Sequence, residues 1–568
     1  MNELVILKLK QIADLLEILG ESVYKIRSYR KAVETLNLVT DDISVLAKEG
    51  KLKDLPGIGD AISIKIEVIV KTGDSYYLQK LTQKIPLEVT SLMRVEGIGG
   101  KTAGRLYQEL GVKSITGLEE AIKTGALLKL SGFTEGKVEK IQRAIKFLKK
   151  ERRALPKIEK IAYGIRDKLM ESNLLTKVEL GGSFRRRKST VRDLDLHAIG
   201  KEENFEKAMK FFTEMEEVIE VIVTGKLKTT VKLFNNMNVD LRIMEEISDG
   251  AGILYSTGAR SHTIKLRTIA ERKELLLNEY GLYNKDKSKL LASKTETDVY
   301  AGLGMSYIPP ELREDRGEIE AAMKNELPEL ITIDDIKGDL HAHTDFTDGK
   351  ATTEEMIIGA EKKGWEYVAI TDHYGKNKIY NPLDEEKLQK QKKELEKISA
   401  AVEINVLHGL EIDITKTGGL EVPNEILKDM DYVIASIHSH FDLPEEEMTQ
   451  RILKALDNEY VNAIGHPTSR MFSKRADYSL NFSKIAKKCN ETNTWLEINA
   501  QPDRQDIDDH LVFDLKVKAP IYIGTDAHYV KDYEFMQWGI NIARRSWCEK
   551  KHIINCLSFK DLQKKLTR

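Results

Sequence analysis

The sequence predicts a multidomain α+β and α/β protein. It should have helical N-terminal domains, a small mixed sheet with its covering elements, and a distorted (β/α)7 barrel at the C-terminal end. Three observations carry this. Gly-Ile-Gly turns precede amphipathic stretches early in the chain, aspartates alternate with leucines in the middle, and short apolar runs ending in histidine or acid recur from residue 338 onward. At 568 residues the chain exceeds one core; at roughly 150 residues per domain, about three to five domains are expected.

Hydrophobic residues at 41% and charged residues at 32% describe an ordinary globular chain, which excludes a disordered one. Cys489, Cys548 and Cys556 form no CxxC pattern, so neither a disulfide framework nor a thiolate zinc site is indicated, and a reducing cytosol fits. "MNELVILKLKQIADLLEILG" places apolar residues at helical spacing with charges interleaved, unlike a signal peptide and too polar to span a membrane. The net charge of −2 is unevenly spread: between Lys137 and Lys160 ten lysines and arginines face three glutamates, and "RRRK" follows at Arg185 to Lys188. Such a stripe is either a phosphate track or a solvated helix face.

In the helical part, "LPGIGDAISIKI" (Leu55 to Ile66) and "VEGIGGKTAGRLY" (Val95 to Tyr107) repeat one design, and "LSGFTEGKVEKI" (Leu130 to Ile141) is a degenerate third copy. Gly57, Gly59, Gly97 and Gly99 permit a tight turn whose N–H groups face outward at a helix start, suited to a phosphate oxygen or a cation bridging to it. Helix pairs also need glycine for purely structural reasons. Two copies about 40 residues apart nevertheless resemble helix-hairpin-helix motifs, which bind DNA backbone without reading sequence. Lys65, on the helix after the first hairpin, is either a surface lysine or a Schiff-base nucleophile if its pKa is lowered.

"VELGGSFRRRKSTVRDLDLHAIG" (Val178 to Gly200) reads as strand, glycine turn, short helix and second strand. Asp193 and Asp195 share one strand face while Leu194 and Leu196 point into the core. Two carboxylates about 6–7 Å apart repel unless a cation lies between them. Asp240, on the alternating run "MNVDLRIM", completes a three-carboxylate cage suited to Mg²⁺. Gly182 and Ser183 open a helix with Arg186 in its first turn, a triphosphate clamp. Clamp and carboxylates together describe two-metal nucleotidyl transfer; an exposed polar strand face is the plainer alternative for Asp-x-Asp alone.

"GGSFRR…RDLDL…VDLR…YSTGA" resembles the family X DNA polymerases, the polymerase beta group, over residues 1 to 317. The resemblance implies a nucleotidyltransferase-type palm and thumb. In it Asp193, Asp195 and Asp240 bind catalytic Mg²⁺ or Mn²⁺, and Gly182, Ser183 and Arg186 hold the incoming triphosphate. Arg242 supports that site, Tyr255 and Gly258 pack against the nucleotide, and Lys65 falls at the lyase nucleophile. Ser256, Arg260, Thr263, Ser28 and Tyr77 depart from the animal pattern, which leaves fidelity, ribose discrimination and 5′-deoxyribose phosphate lyase activity open.

Beyond a charged linker, seven runs end in polar residues: "GDLHAH", "YVAITDH", "NVLHGLEID", "YVIASIHSH", "NAIGHP", "WLEINA" and "IYIGTDAH". Functional residues at the C-terminal ends of repeated strand–helix units indicate a barrel with its site at one face. His341, His343, Asp348, His373, Glu411, His438, His466, Asp526 and His528 exceed the needs of one ion, so two or three metals are expected. Mixed imidazole and carboxylate ligation suits Mn²⁺, Zn²⁺ or Fe²⁺. A metal pair about 3.5–4 Å apart would serve phosphate-ester hydrolysis. His408, His510 and His552 are assigned to ordinary structural roles, and His440 to the neighbourhood of the substrate.

This half resembles the PHP domain, named for polymerase and histidinol phosphatase. The resemblance implies a trinuclear site on those nine residues, 3′→5′ exonuclease activity and, in some members, cleavage at abasic sites. Fused behind the family X part, it looks like a bacterial or archaeal-type enzyme of that family. The expected domains are 1–85 and 86–150 (helical, one hairpin each), 151–245 (palm), 246–317 (thumb), 318–335 (linker) and 336–568 (barrel). Expected partners are gapped or nicked duplex DNA and deoxynucleoside triphosphates, with a monomeric, cytoplasmic, nucleoid-associated protein. Two rivals stay open: a DNA-docked phosphoesterase with a weak or silent polymerase, and a polymerase with a structural barrel.

Overall fold

The computed structural model describes residues 2–39, 43–95, 97–149, 152–376, 378–472 and 474–566. The chain divides into two compact units, Met1–Glu151 and Arg152–Arg568. Part of the basic stripe falls outside the description: Lys150 and Glu151, and the side chains of Arg143, Lys146 and Lys149. Among the described residues, no helix is long and apolar enough to cross a membrane.

The first unit is helical among its described residues and repeats one local device three times. A short 3₁₀ turn (Lys51–Asp54, Leu87–Arg94, Leu127–Lys129) leads into a helix (Asp60–Thr72, Gly100–Leu110, Glu135–Lys149). The linking glycine sits at positive φ each time: 81° at Gly57, 88° at Gly97 and 84° at Gly132. Gly59 and Gly99 cap their helices with identical backbone angles, φ −85° and ψ 176°. The third copy keeps the shape because Phe133 fills the buried place of Ile58 and Ile98. Thr134 replaces the second glycine, its hydroxyl accepting from Lys137 N–H at 3.4 Å.

The second unit begins with a five-stranded sheet in the order Lys177–Leu180, Asp193–Ile199, Asn238–Met244, Lys228–Leu233, Val218–Val223. The Asp193–Ile199 and Asn238–Met244 strands pair in parallel with Asp195 beside Asp240. Leu194, Leu196, Val239 and Leu241 face a core shared with the helices Leu155–Glu171 and Phe205–Thr213, so alternation sends the aspartates to the other face. Next come the helices Asp249–Thr257, Arg260–Arg272 and Glu296–Gly302 around a three-stranded antiparallel sheet.

The 318–335 stretch, expected as a linker, is packed. It holds a helix, Glu318–Lys324, and a short 3₁₀ turn, Ile333–Asp335. Glu318 is buried against His262 (2.6 Å), and Ile331 lies in the barrel's hydrophobic core. Of its charges, Glu318 is buried and Asp335 meets Lys550 Nζ at 2.6 Å, while Glu320, Lys324, Glu326, Glu329 and Asp334 are exposed; composition did not distinguish the two groups.

All seven apolar runs form strands: Gly338–Asp339, Tyr367–Ile370, Asn405–Asp413, Tyr432–Ser436, Ala463–Ile464, Trp495–Asn499 and Ile521–Gly524. They pair in parallel and in chain order, and a parallel bridge between Ala342 and Ala527 ties the first segment to the last. Tyr367, Tyr432, Trp495 and Tyr522 belong to a second buried cluster in this domain.

Candidate active sites

The palm cavity, about 600 Å³, is lined by Gly182, Ser183, Arg186, Asp193, Asp195, Tyr255 and Gly258, seven residues expected from the sequence. Gly182 is obligatory here. Its φ is +54°, and a Cβ would stand 1.9 Å from Asp195 Oδ2. Burial, and then the charges of Asp193 and Asp240, push the Asp195 carboxyl up to about 6. That unfavourable crowding of carboxylates is relieved by a cation, so the donor set fits a divalent metal.

The carboxylates also meet cations of the chain. Lys228 Nζ lies 2.6 Å from Asp240 Oδ2, Thr230 donates to Asp240 Oδ1 at 2.6 Å, and Arg192 lies 3.0 Å from Asp193 Oδ2. Arg242 lies one layer back from the cavity. Its guanidinium lies 5.4 Å from the Tyr255 ring centroid and 3.8 Å from Glu279, and it does not line the cavity. Arg267, whose guanidinium lies 5.3 Å from the same ring centroid, does line it, as do Arg152, Lys188, Arg192, Arg260 and Thr263. Arg152 and Lys188 had shown in the sequence only as members of basic stretches.

In the barrel, all nine expected ligands converge. Among the described residues, every group of three or more candidate ligands with donor atoms within 4.8 Å of one another lies here: His341/His343/Glu411, His343/Asp526/His528, His343/Asp348/His373 and Glu411/His438/His466. Glu411 is the hub. Its Oε2 lies 3.5 Å from His341 Nε2, 3.5 Å from His343 Nε2 and 3.2 Å from His373 Nδ1. Its Oε1 lies 3.4 Å from His438 Nε2 and 3.0 Å from His466 Nε2. His466 and Asp526 hold positive φ, 25° and 52°, backbone strain that is characteristic of functional sites.

Several of these donors are buried yet make no hydrogen bond, despite the close approaches above: His341 Nε2, both nitrogens of His343, Glu411 Oε1 and His466 Nδ1. Such atoms are costly unless something binds them, and together with the mixed imidazole and carboxylate set they fit metal ions. Burial lowers His438 and His528, but Glu411 and Asp413 outweigh it at the first, Asp348 and Asp526 at the second, and both rise to about 9. The field at these two rings favours positive charge, whereas burial wins at His343, whose pKa falls, and at His466, which is brought down to about 4.

A supporting layer was missed by the sequence reading. Glu497 Oε1 contacts His341 Nδ1 at 2.6 Å, and Asp413 Oδ1 contacts His438 Nδ1 at 2.5 Å, leaving each Nε2 toward the centre. Tyr380 stacks on His373 with centroids 4.3 Å apart. Arg504, with Nε 3.6 Å from Asp526, lines the cavity of about 550 Å³ together with Lys350 and Lys531. His408 bonds Gln391 at 3.2 Å, His510 meets Arg316 at 3.0 Å and His552 accepts from Glu549 N–H at 3.0 Å, outside the ligand groups as expected. His440 is exposed and does not line this cavity.

In the first unit, Lys65 Nζ lies 5.1 Å from the Tyr77 ring centroid and 6.0 Å from that of Tyr29. Burial, and then the charge of Lys25, lower its pKa below the ordinary lysine value.

Comparison with known proteins gives a consistent result. Residues 1–75 match a helix-hairpin-helix domain, 89–146 a SAM-like helix-hairpin-helix tandem, 252–314 the DNA polymerase beta thumb and 339–501 the PHP domain. The tandem match spans the degenerate third hairpin. The chain is 34% identical over 566 residues to the DNA polymerase/3'-5' exonuclease PolX of Bacillus subtilis, covering 99% of this chain and 98% of that one. It is 27% identical over 242 residues to a probable phosphatase of Thermoanaerobacter pseudethanolicus, 38% of this chain and 89% of that one. A probable phosphatase of Clostridium novyi is 39% identical over 99 residues, 17% of this chain and 38% of that one.

Proposed function

The chain belongs to the PolX family of DNA polymerase/3'-5' exonucleases, and from that premise we propose that it fills short gaps in DNA during repair, extending a primer at the palm cavity and trimming 3′ ends in the barrel. The observation that carries this reading is the presence of two chemically different donor sets in one chain: palm carboxylates beside an arginine-lined cavity, and nine candidate ligands with Glu411 at their hub.

In the palm, Asp193, Asp195 and Asp240 would hold Mg²⁺ or Mn²⁺, and in the barrel the nine ligands would hold two or three Mn²⁺, Zn²⁺ or Fe²⁺, which when bound neutralise phosphate charge and activate the attacking oxygen. Arg186, Gly182 and Ser183 orient the triphosphate, while Tyr255 and Gly258 bound the nucleotide. In the barrel, Arg504, Lys350 and Lys531 meet the phosphates of the 3′ end, and Glu497 and Asp413 fix the histidine rings. The hairpins at Gly57, Gly59, Gly97 and Gly99 grip backbone phosphates of a gapped or nicked duplex without reading sequence. The protein acts as a cytoplasmic monomer. Abasic-site cleavage is a second use of the barrel, and the lowered pKa of Lys65 supports a lyase activity in the first unit.

The test uses the whole protein and a 5′-labelled primer facing a one-nucleotide gap, in Mn²⁺, with and without deoxynucleotides. Extension with nucleotides and shortening without them is the expected result. Extension alone would leave the barrel without this substrate, and shortening alone would demote the palm to a DNA clamp.

A further inference from the structure

Behind the palm cavity, a fully buried arginine of the barrel reaches the loop that carries Arg186. Arg545, last residue of the helix Met536–Arg545, has no solvent-exposed side-chain surface. Its Nη1 donates to the Arg186 carbonyl at 2.6 Å, and its Nη2 donates to Glu314 at 3.2 Å and to Asp509 at 3.0 Å. Glu314 in turn accepts from Arg186 Nε at 2.8 Å and meets Lys188 Nζ at 3.2 Å. Arg316 closes the network on Asp509 at 2.6 Å.

Arg186 is thereby held on three sides. Glu314 takes Nε, the Thr257 carbonyl takes Nη1, and Arg545 anchors its backbone. The guanidinium lines the palm cavity in that orientation. Four cations, Arg186, Lys188, Arg316 and Arg545, share two carboxylates, Glu314 and Asp509, so positive charge is in excess behind a cavity read as a triphosphate site. A planar, three-acceptor bridge of this kind needs arginine, since a lysine ammonium cannot span the same geometry.

We propose that Arg545 is a positioning residue of the nucleotide site: the phosphoesterase barrel completes the triphosphate cradle of the polymerase through the Arg545–Glu314–Arg186 relay. This rests on the reading that Arg186 holds the incoming triphosphate.

The test is steady-state gap filling by full-length Arg545→Met and Arg545→Lys, with exonuclease activity measured on the same preparations. Loss of hydrogen bonds to charged groups predicts that Arg545→Met raises the KM for deoxynucleotide about tenfold with a smaller change in kcat. Arg545→Lys should recover part of that, and both variants should keep exonuclease activity. Where Arg545→Met fails to fold, Asp509→Asn, which loosens Arg545 from the barrel side, should raise the same KM to a lesser degree. In an Glu314→Gln background, Arg545→Met should add little, because the relay is already cut. An unchanged KM, or polymerase and exonuclease falling in proportion, overturns the proposal. Wild-type extension in the same assay separates the two failures: no extension by the wild type sinks the nucleotide-site reading and this proposal with it, whereas wild-type extension with an unchanged KM in Arg545→Met sinks the role of Arg545 alone.

Discussion

Lys65 shows how one side chain acquires chemistry from its neighbours. An ordinary lysine is a cation near pH 7 and a poor nucleophile. Here burial and the nearby Lys25 charge both disfavour the ammonium, and the rings of Tyr77 and Tyr29 frame it. The neutral amine is therefore present at lower pH than for a free lysine. Borohydride trapping on a duplex with a 5′-deoxyribose phosphate should yield a covalent adduct that Lys65→Ala abolishes. Lys25→Met should move the rise of trapping to higher pH, because it removes one of the two causes of the shift. An adduct of undiminished yield in Lys65→Ala would assign the chemistry elsewhere.

At the scale of elements, the clearest case is the knot around Glu296, at the start of the helix Glu296–Gly302. Its carboxylate accepts from Arg185 at 2.9 and 2.7 Å and from Arg313 at 2.5 Å, joining the palm's short helix to the thumb. Burial alone would raise its pKa, but Arg313 and Arg185 bring it down to about 2. A carboxylate depressed in the folded state stabilises it fully above the unfolded value of 4.5, and that contribution is lost as pH falls toward about 2. Glu296→Gln should therefore cost about 3–5 kcal/mol near neutral pH, since it leaves the buried Arg313 and the half-buried Arg185 short of an anion. Denaturant melts at neutral pH and near pH 3 check this: the variant's deficit should shrink on acidification, and a deficit of constant size would refute the electrostatic cause.

The same knot shows what the sequence could and could not tell. Asp193 and Asp195 were legible because strand alternation put them on one face, and all the barrel ligands but Asp348 because they lie toward the ends of the recurring apolar runs. Glu296, Glu318 and Arg313 were not, because a charged residue that pairs across 17, 56 or 111 positions leaves no local period. The packing of Glu318 within the 318–335 stretch was illegible for that reason. Glu497 was missed for another: it sits inside the strand Trp495–Asn499, where a lone acid carries no spacing signal.

For the whole molecule, the decisive question is whether two sites in one compact unit work independently. A change that empties one site must not loosen the other, so the choice of residue matters. Asp193 is 42% exposed at the palm cavity, and replacing it strands no buried partner. His341 is a poorer choice, because it is fully buried against Glu497 and Glu411 and its loss leaves Glu497 Oε1 without its imidazole partner. His528 lies at the rim, 26% exposed, opposite an Asp348 that is itself 23% exposed. Asp193→Ala should therefore abolish nucleotide addition while 3′ trimming continues, and His528→Ala should do the reverse, cutting trimming by more than the ~10–100-fold typical of a supporting partner. Bound metal, measured on the same samples, should fall in His528→Ala and leave the barrel content of Asp193→Ala unchanged. Loss of both activities from either substitution, with melting unchanged, would mean that the two cavities act as one site.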